Sequence, residues 1–173
     1  MDTATLRRHL EDCHRECYAW TLSCCDRDTA EADDVLQTAY LKVLDGRARF
    51  DGRSSFRTWL FGVIRRTAAD ERRRGIVRRL RHAVLGHDIA AHDNSALTTE
   101  AGERQAALRD ALAHLPRRQH EVLLLVFYHG LTIHESAHAL GIGLGSARTH
   151  YERGKRRLRE LLGDTHDLRT DHD

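Results

Sequence analysis

Between Thr132 and Arg157 the chain carries side chains of the right type and spacing to read a nucleic acid. Thr132 precedes Glu135 by three residues, the spacing of a capping box that starts a helix. Ala137 is small, and Gly141 follows it four residues later between apolar Leu140 and Ile142. A small residue lets two helices cross closely, and glycine permits the positive φ of a tight turn. Ser146 can then cap a second helix bearing Arg148, Thr149, His150, Glu152, Arg153, Lys155, Arg156 and Arg157. The pattern is a helix-turn-helix whose second helix is polar and basic. Such a helix suits the major groove, its first turns meeting base edges and its later bases meeting phosphates. Arginine can grip guanine in bidentate fashion, and Ser or Thr can meet several edges. The bland alternative is a core hairpin with a solvated basic face.

A second constellation runs from Phe56 to Arg74. Aromatic residues at 56, 59 and 61 precede an arginine cluster. At about 100° per residue, Phe61 falls away from the stripe that holds Leu60. An aromatic exposed beside arginines can stack on an unpaired base. The commoner roles for such residues are core for Trp59 and a solvated helix end for Arg72, Arg73 and Arg74.

Cysteines and histidines raise a metal question. His9, Cys13 and Cys17 share one helix face and could hold zinc with a fourth ligand. Their spacing matches no finger pattern, and Cys13, Cys17 and Cys24 also complete an apolar stripe as small hydrophobes. Thirteen histidines are scattered, with one i, i+4 pair at His134 and His138. No nucleophile–base–orienter set, phosphate-cradling glycine loop or paired-carboxylate motif appears. The chain therefore reads as a non-enzyme with no metal site and no cofactor.

The formal net charge of +2 says little; its distribution says more. Five acids (Asp26, Asp28, Glu31, Asp33, Asp34) meet one base, Arg27, at the start of the second predicted helix. Eight arginines fall between Arg65 and Arg81 against Asp70 and Glu71, and six bases between Arg148 and Arg159 against Glu152. One acidic and two basic patches suggest a protein partner and a polyanion. The N-terminus reads as lacking a signal peptide, and no run approaches the ~18 apolar residues of a membrane span. A cytoplasmic protein with reduced cysteines and no membrane insertion is expected.

These residues need helices to position them. Leu6, Leu10, Cys13, Cys17, Trp20 and Cys24 recur at spacings of three and four, predicting a helix over Thr3 to Cys24. Thr29 can cap a second helix with Val35, Ala39 and Val43 in one row, ending near Gly46. After a turn-rich loop at 50–55, Ser54 or Ser55 can cap a third, with Phe56, Trp59, Leu60, Val63, Ile64 and Ala68 facing inward and a stop near Gly75. Residues 76–103 are less patterned, with one short helix at Val77 to Leu85. From Arg104 onward, Ala107, Leu108, Ala111, Leu112 and Leu115 make an amphipathic helix that Leu115-Pro116 stops. Pro116 can start the next, which carries Val122, Leu123, Val126 and Phe127 and ends at Gly130. The helix-turn-helix follows. The expected fold is all-α: two small helical domains joined by a flexible linker, the second containing the helix-turn-helix. The domains are residues 1–76 and 105–163, with a linker at 77–104 and a polar tail at 164–173.

Three segments carry a family resemblance: Ala32-Asp33-Asp34-Val35-Leu36-Gln37-Thr38-Ala39-Tyr40-Leu41-Lys42-Val43-Leu44, then Phe56-Arg57-Thr58-Trp59-Leu60-Phe61-Gly62-Val63-Ile64-Arg65-Arg66, then Asp70-Glu71-Arg72-Arg73. Together they resemble conserved region two of the sigma-70 superfamily. Leu112-Ala113-His114-Leu115-Pro116-Arg117-Arg118-Gln119-His120-Glu121-Val122-Leu123, with Gly130-Leu131-Thr132 and Leu140 to Thr149, resemble region four. The two blocks stand in the family's order with a short linker, as in the extracytoplasmic-function (ECF) group. The resemblance implies an RNA polymerase sigma factor that joins core polymerase through its β′ and β subunits, reads promoter DNA, and is restrained by an anti-sigma factor. It implies core-polymerase contact at Asp33, Asp34, Gln37, Tyr40, Leu41 and Leu44. It implies minus-ten promoter contact at Ser55, Phe56, Trp59, Arg65, Arg66, Thr67, Asp70 and Arg73, with the 50–56 loop capturing a flipped base. Minus-thirty-five contact falls to Ser146, Arg148, Thr149, His150, Glu152, Arg153 and Arg156. Thr67 stands where the family often has Asn, Ala147 where it has a larger aliphatic residue, His150 where Arg is common and Gly154 where Ala is usual. A stand-alone helix-turn-helix repressor or activator and a thiol or metal sensor are the competing readings.

Overall fold

The computed structural model describes residues 2–83 and 100–167, and among these it contains seven α-helices and no strand. They fall into two compact units. In the first, α1 (Thr3–Cys24), α2 (Thr29–Leu44) and α3 (Phe56–Ala83) pack pairwise on one another. Each start has a local cause. Asp2 caps α1, accepting from the Thr5 N–H at 2.9 Å. Asp28, one residue before the expected Thr29, caps α2 by accepting from the Glu31 N–H at 2.9 Å. Ser55 Oγ caps α3 through the Thr58 N–H at 3.1 Å. Such caps satisfy amide hydrogens that the first turn leaves without intrahelical partners.

The apolar rows meet as their spacing requires. Leu10, Cys17, Trp20 and Cys24 of α1 are buried with Val35, Leu36, Ala39 and Val43 of α2 and Leu60, Phe61, Ile64 and Ala68 of α3. Trp20 is the largest fully buried side chain. Its indole Nε1–H donates to the Phe61 carbonyl at 3.1 Å, and its ring stacks on the Phe61 ring at 5.8 Å.

Two expectations change here. Helix α3 does not stop near Gly75 but continues to Ala83, absorbing most of the separate short helix expected from Val77. Gly75 costs about 1 kcal/mol of helix propensity, but its neighbours are good helix formers and no proline intervenes. Residues 84–99 of the expected linker, with His87 and His92, lie outside the described residues. Second, Arg72 is not a solvated helix-end base. It donates to the carbonyl of Cys24, the last residue of α1, and stands 3.7 Å from Asp26. A cation on terminal carbonyls favours the negative end of the helix dipole. It braces a turn in which Asp26 and Arg27 both take left-handed backbone, φ 50° and 67°.

The second unit holds α4 (Glu100–Ala113), α5 (Arg117–Phe127), most of α6 (Ile133–Leu140) and α7 (Leu144–Asp167). Pro116 precedes α5, and Gly130 (φ 65°) closes it, with Leu131 N–H donating to the Leu125 carbonyl at 2.9 Å. Glu121 is buried on α5 between Arg117 and Arg118 at 3.0 and 3.2 Å. The pairing follows from i, i+3 and i, i+4 spacing. Helix α7 runs to Asp167, into the segment expected to be a frayed tail; residues 168–173 lie outside the described residues.

Gly154 has a packing role that propensity conceals. A Cβ there would stand 3.1 Å from both Gln119 Cβ and Leu123 Cδ1, so its absence lets α7 lie close to α5. Gly154→Leu should destabilise this unit by about 1–3 kcal/mol, the usual cost of overpacking. Faster amide hydrogen exchange in residues 117–127 and 144–158, with α1 to α3 unchanged, is the expected readout. Unchanged protection in α5 would refute the close approach.

Candidate nucleic-acid interface

The helix-turn-helix is built as its sequence requires, with one shift. Thr132 N–H donates to Glu135 Oε2 at 2.9 Å and Glu135 N–H to Thr132 Oγ1 at 3.1 Å, a closed capping box. Gly141 turns the chain at φ 63°, and Ile142 N–H donates back to the Ala137 carbonyl at 3.0 Å. Helix α7 begins at Leu144, so Ser146 lies inside its first turn rather than capping it. Ala147 is wholly buried, its small side chain fitted to the interior.

The outward face of α7 presents Ser146, Arg148, Thr149, Glu152, Arg153 and Arg156, all exposed, while His150 is half-buried. Among the described residues Arg148, Arg153 and Arg156 have no carboxylate partner, so their guanidinium groups are available to a polyanion. Thr149 Oγ1 donates to the Gly145 carbonyl at 2.9 Å, which leaves its oxygen to accept from a base amino group. Lys155 lies 3.5 Å from Glu152 and 4.7 Å from the Tyr151 ring centroid, which softens the one acid on this face.

In the first unit, α2 and α3 present two surfaces of different chemistry. On α2, Asp33, Asp34, Gln37, Leu41 and Leu44 are exposed on one side. Leu41 and Leu44 are 47% and 38% accessible, large apolar groups open to solvent next to acids. Tyr40 is half-buried beside them, its hydroxyl sharing a 3.2 Å hydrogen bond with His14 Nδ1. Burial, with the adjacent Cys17 thiol, holds the Tyr40 phenol above its usual range, so it stays neutral.

A shallow groove runs between the end of α2, the following loop and α3, lined by Lys42, Arg47, Arg49, Trp59, Arg66 and Asp70. Arg66 and Arg73 are exposed, Arg65 and Asp70 half-buried, and Ser55 sits exposed at the head of α3. Phe56 and Trp59 are buried and cluster with Phe50, whose ring lies 5.5 and 5.4 Å from theirs. Thr67 is fully buried and accepts from Lys42 Nζ at 3.0 Å, so it is not an exposed base-reading group in this structure. Phe61 is not the exposed stacking aromatic that its place on the helical wheel suggested. It is wholly buried against Trp20, because α3 packs on both α1 and α2 and buries more than one stripe. Lys42, Arg47 and Arg49 were missed as groove residues; the signal was their charge at the end of α2 and in the loop that leads to α3.

The thiol cluster is no ready ligand set. Burial pushes the Cys17 thiol up to about 12, the neighbouring Cys13 adding to the shift, and burial also raises Cys13. His9 turns Nδ1 to the Thr5 carbonyl at 2.9 Å and its ring edge to Phe56. Among the described residues, no group of three or more His, Cys, Asp or Glu side chains is placed to share a metal ion, and no helix is long and apolar enough to cross a membrane.

Comparison with known proteins agrees with this geometry. The family model for Sigma-70 region 2 matches residues 6–84, and that for Sigma-70 region 4 matches residues 105–158. The chain is 30% identical over 145 residues to the ECF RNA polymerase sigma factor SigX of Bacillus subtilis, covering 79% of this chain and 73% of that one. It is 31% identical over 144 residues to the RNA polymerase sigma factor CarQ of Myxococcus xanthus, covering 80% and 78%. Its fold matches the sigma factor RpoE of Bartonella quintana, solved with the anti-sigma factor NepR, at a TM-score of 0.67 and 22% identity over 91% of this chain and 96% of that one.

Proposed function

Because the chain belongs to the sigma-70 family of RNA polymerase sigma factors, in its extracytoplasmic-function branch, we propose that its three exposed surfaces divide the work of promoter-specific initiation. As a sigma factor it binds core RNA polymerase, recognises promoter elements and promotes DNA-templated transcription initiation. The acidic and apolar ridge of α2, from Asp33 to Leu44, docks on the β′ clamp helices. The groove beside α3, lined by Trp59 and Arg66 with Asp70 as its one carboxylate, takes the separated strand of the minus-ten element, and Ser55 and Arg73, exposed elsewhere on α3, add contacts to it. Ser146, Arg148, Thr149, Glu152, Arg153 and Arg156 read the minus-thirty-five element in the major groove. The first module is assigned to α1 through α3 and the second, which also meets the β subunit, to α4 through α7.

The observation that carries this reading is chemical contrast. One unit exposes leucines among acids, and the other exposes along one helix face arginines that have no carboxylate partner among the described residues. Leucines among acids suit a protein partner and unpaired arginines suit DNA. The protein is a regulator of initiation; promoter opening draws on binding energy, and this chain performs no chemistry on nucleotide or base. It acts in the cytoplasm. An anti-sigma factor covers these same surfaces when transcription is off, as a factor of that class accompanies the Bartonella quintana protein.

Run-off transcription with purified core polymerase tests the reading. Arg148→Ala with Arg153→Ala should lower promoter-specific transcript about 30-fold or more, since each lost base or phosphate contact costs about 1–3 kcal/mol and the two together at least ~2 kcal/mol. Co-purification with core polymerase should not change. Tight duplex binding by the isolated chain, with no gain on adding core enzyme, would favour a stand-alone repressor instead.

A further inference from the structure

Lys42 belongs to α2 but works on α3. Its ammonium donates to Thr67 Oγ1 at 3.0 Å and lies 3.9 Å from Asp70 Oδ2. The Lys42 side chain is 25% exposed and that of Asp70 47%, while Thr67 is fully buried. All three line the groove that also carries Arg47, Arg49 and Arg66, and Asp70 is the one carboxylate among its lining residues. A bare carboxylate there would repel the phosphates that Arg49 and Arg66 attract, Arg47 being already paired with Asp45 at 2.8 Å. Arg73 also approaches Asp70 at 3.9 Å, but it is 81% exposed and its charge is screened by solvent. Lys42 is the better-held cation, because its hydrogen bond to a buried hydroxyl fixes the end of its stem.

We propose that Lys42 is a positioning residue for strand capture: it neutralises Asp70 and anchors the Thr67 hydroxyl, so that the groove accepts a phosphate backbone. Helix α2 thereby serves two partners from adjacent residues. Leu41 faces outward on the docking ridge, and Lys42, one step round the helix, faces the groove. The proposal rests on the reading above that the α3 groove takes the separated strand.

The experiment measures promoter opening by permanganate reactivity of unpaired thymines, with full-length chain and core polymerase. Lys42→Met keeps the stem and removes the charge. It should leave core binding within about twofold and reduce opening about tenfold, the equivalent of ~1.4 kcal/mol. Adding Asp70→Asn should restore most of the loss, because the unscreened carboxylate is then gone; Lys42→Arg should stay near wild type. With Asp70→Asn alone as the fourth corner this is a double-mutant cycle, and it separates neutralisation from bulk destabilisation. Normal opening by Lys42→Met overturns the proposal. So does a loss that Asp70→Asn fails to rescue, or one that tracks a fall in the tryptophan-fluorescence melting midpoint. Arg66→Ala with Arg73→Ala controls for the underlying reading. If that pair leaves opening unchanged, the groove is not the strand site and both readings fall; if the pair acts and Lys42→Met does not, only the role of Lys42 falls.

Discussion

Replacing Leu41 and Leu44 together by arginine should abolish measurable assembly with core RNA polymerase. Both side chains are large and apolar, with 47% and 38% of their surface open to solvent on the outer face of α2, so the isolated fold loses less by their removal than by that of a core leucine. An interface hot spot of this kind is worth about 2 kcal/mol or more. Two of them amount to a roughly thousandfold change in the dissociation constant. Arginine adds a second penalty. The exposed acids Asp33 and Asp34 call for a basic partner surface, so the new cations meet like charge and must also be desolvated. Run-off transcript should disappear in parallel, while the melting midpoint of the free chain falls by far less than a loss of that size would require, so the defect is one of assembly and not of folding. A double variant that still loads onto core polymerase would place the docking surface elsewhere. Asp33→Asn with Asp34→Asn makes a milder companion: it should flatten the salt dependence of association more than it weakens the complex.

Trp20→Ala should unfold the first unit or leave it barely stable. The ring is fully buried, stacks on Phe61, and donates its indole N–H to the Phe61 backbone carbonyl. Large aromatic-to-alanine changes in a core cost about 3–5 kcal/mol. Small domains hold only about 5–15 kcal/mol in total. Both tryptophans of the chain, Trp20 and Trp59, lie in this unit, so the fluorescence of Trp59 reports its unfolding without interference from the other. Trp20→Phe keeps an aromatic in place and loses the donor, so about 1 kcal/mol is expected. A chain carrying Trp20→Ala that melts like wild type would mean that α1 and α3 do not meet through this residue. With α1 detached, α2 would lose the support that presents its outer ridge, so polymerase assembly should fail as well.

The amino-acid order by itself determined most of the helical layout and the chemistry of the outer surfaces. Helix α1 runs from Thr3 to Cys24, as its apolar spacing predicts, because a buried stripe on a regular helix leaves a periodic trace. The capping box at Thr132 and Glu135, the turn at Gly141 and the arginine-bearing face of α7 are local features, each contained within a few residues. The acids and leucines of α2 are likewise legible, since exposed groups need no partner in the fold.

Only the tertiary structure decided which residues of α3 face inward. A helical wheel describes one helix and counts no neighbours; α3 has two in its unit, and so Phe61 and Thr67 are buried where one stripe left them free. Arg72 joined the brace of α1 rather than the basic face because its acceptor lies 48 residues away. Lys42 meets Thr67 across 25 residues and Trp20 meets Phe61 across 41. Gly154, costly as a helix residue, is suited to its place only because α5 presses against it. Contacts of this kind arise from how helices pack, and no window of sequence short enough to show periodicity is long enough to contain them.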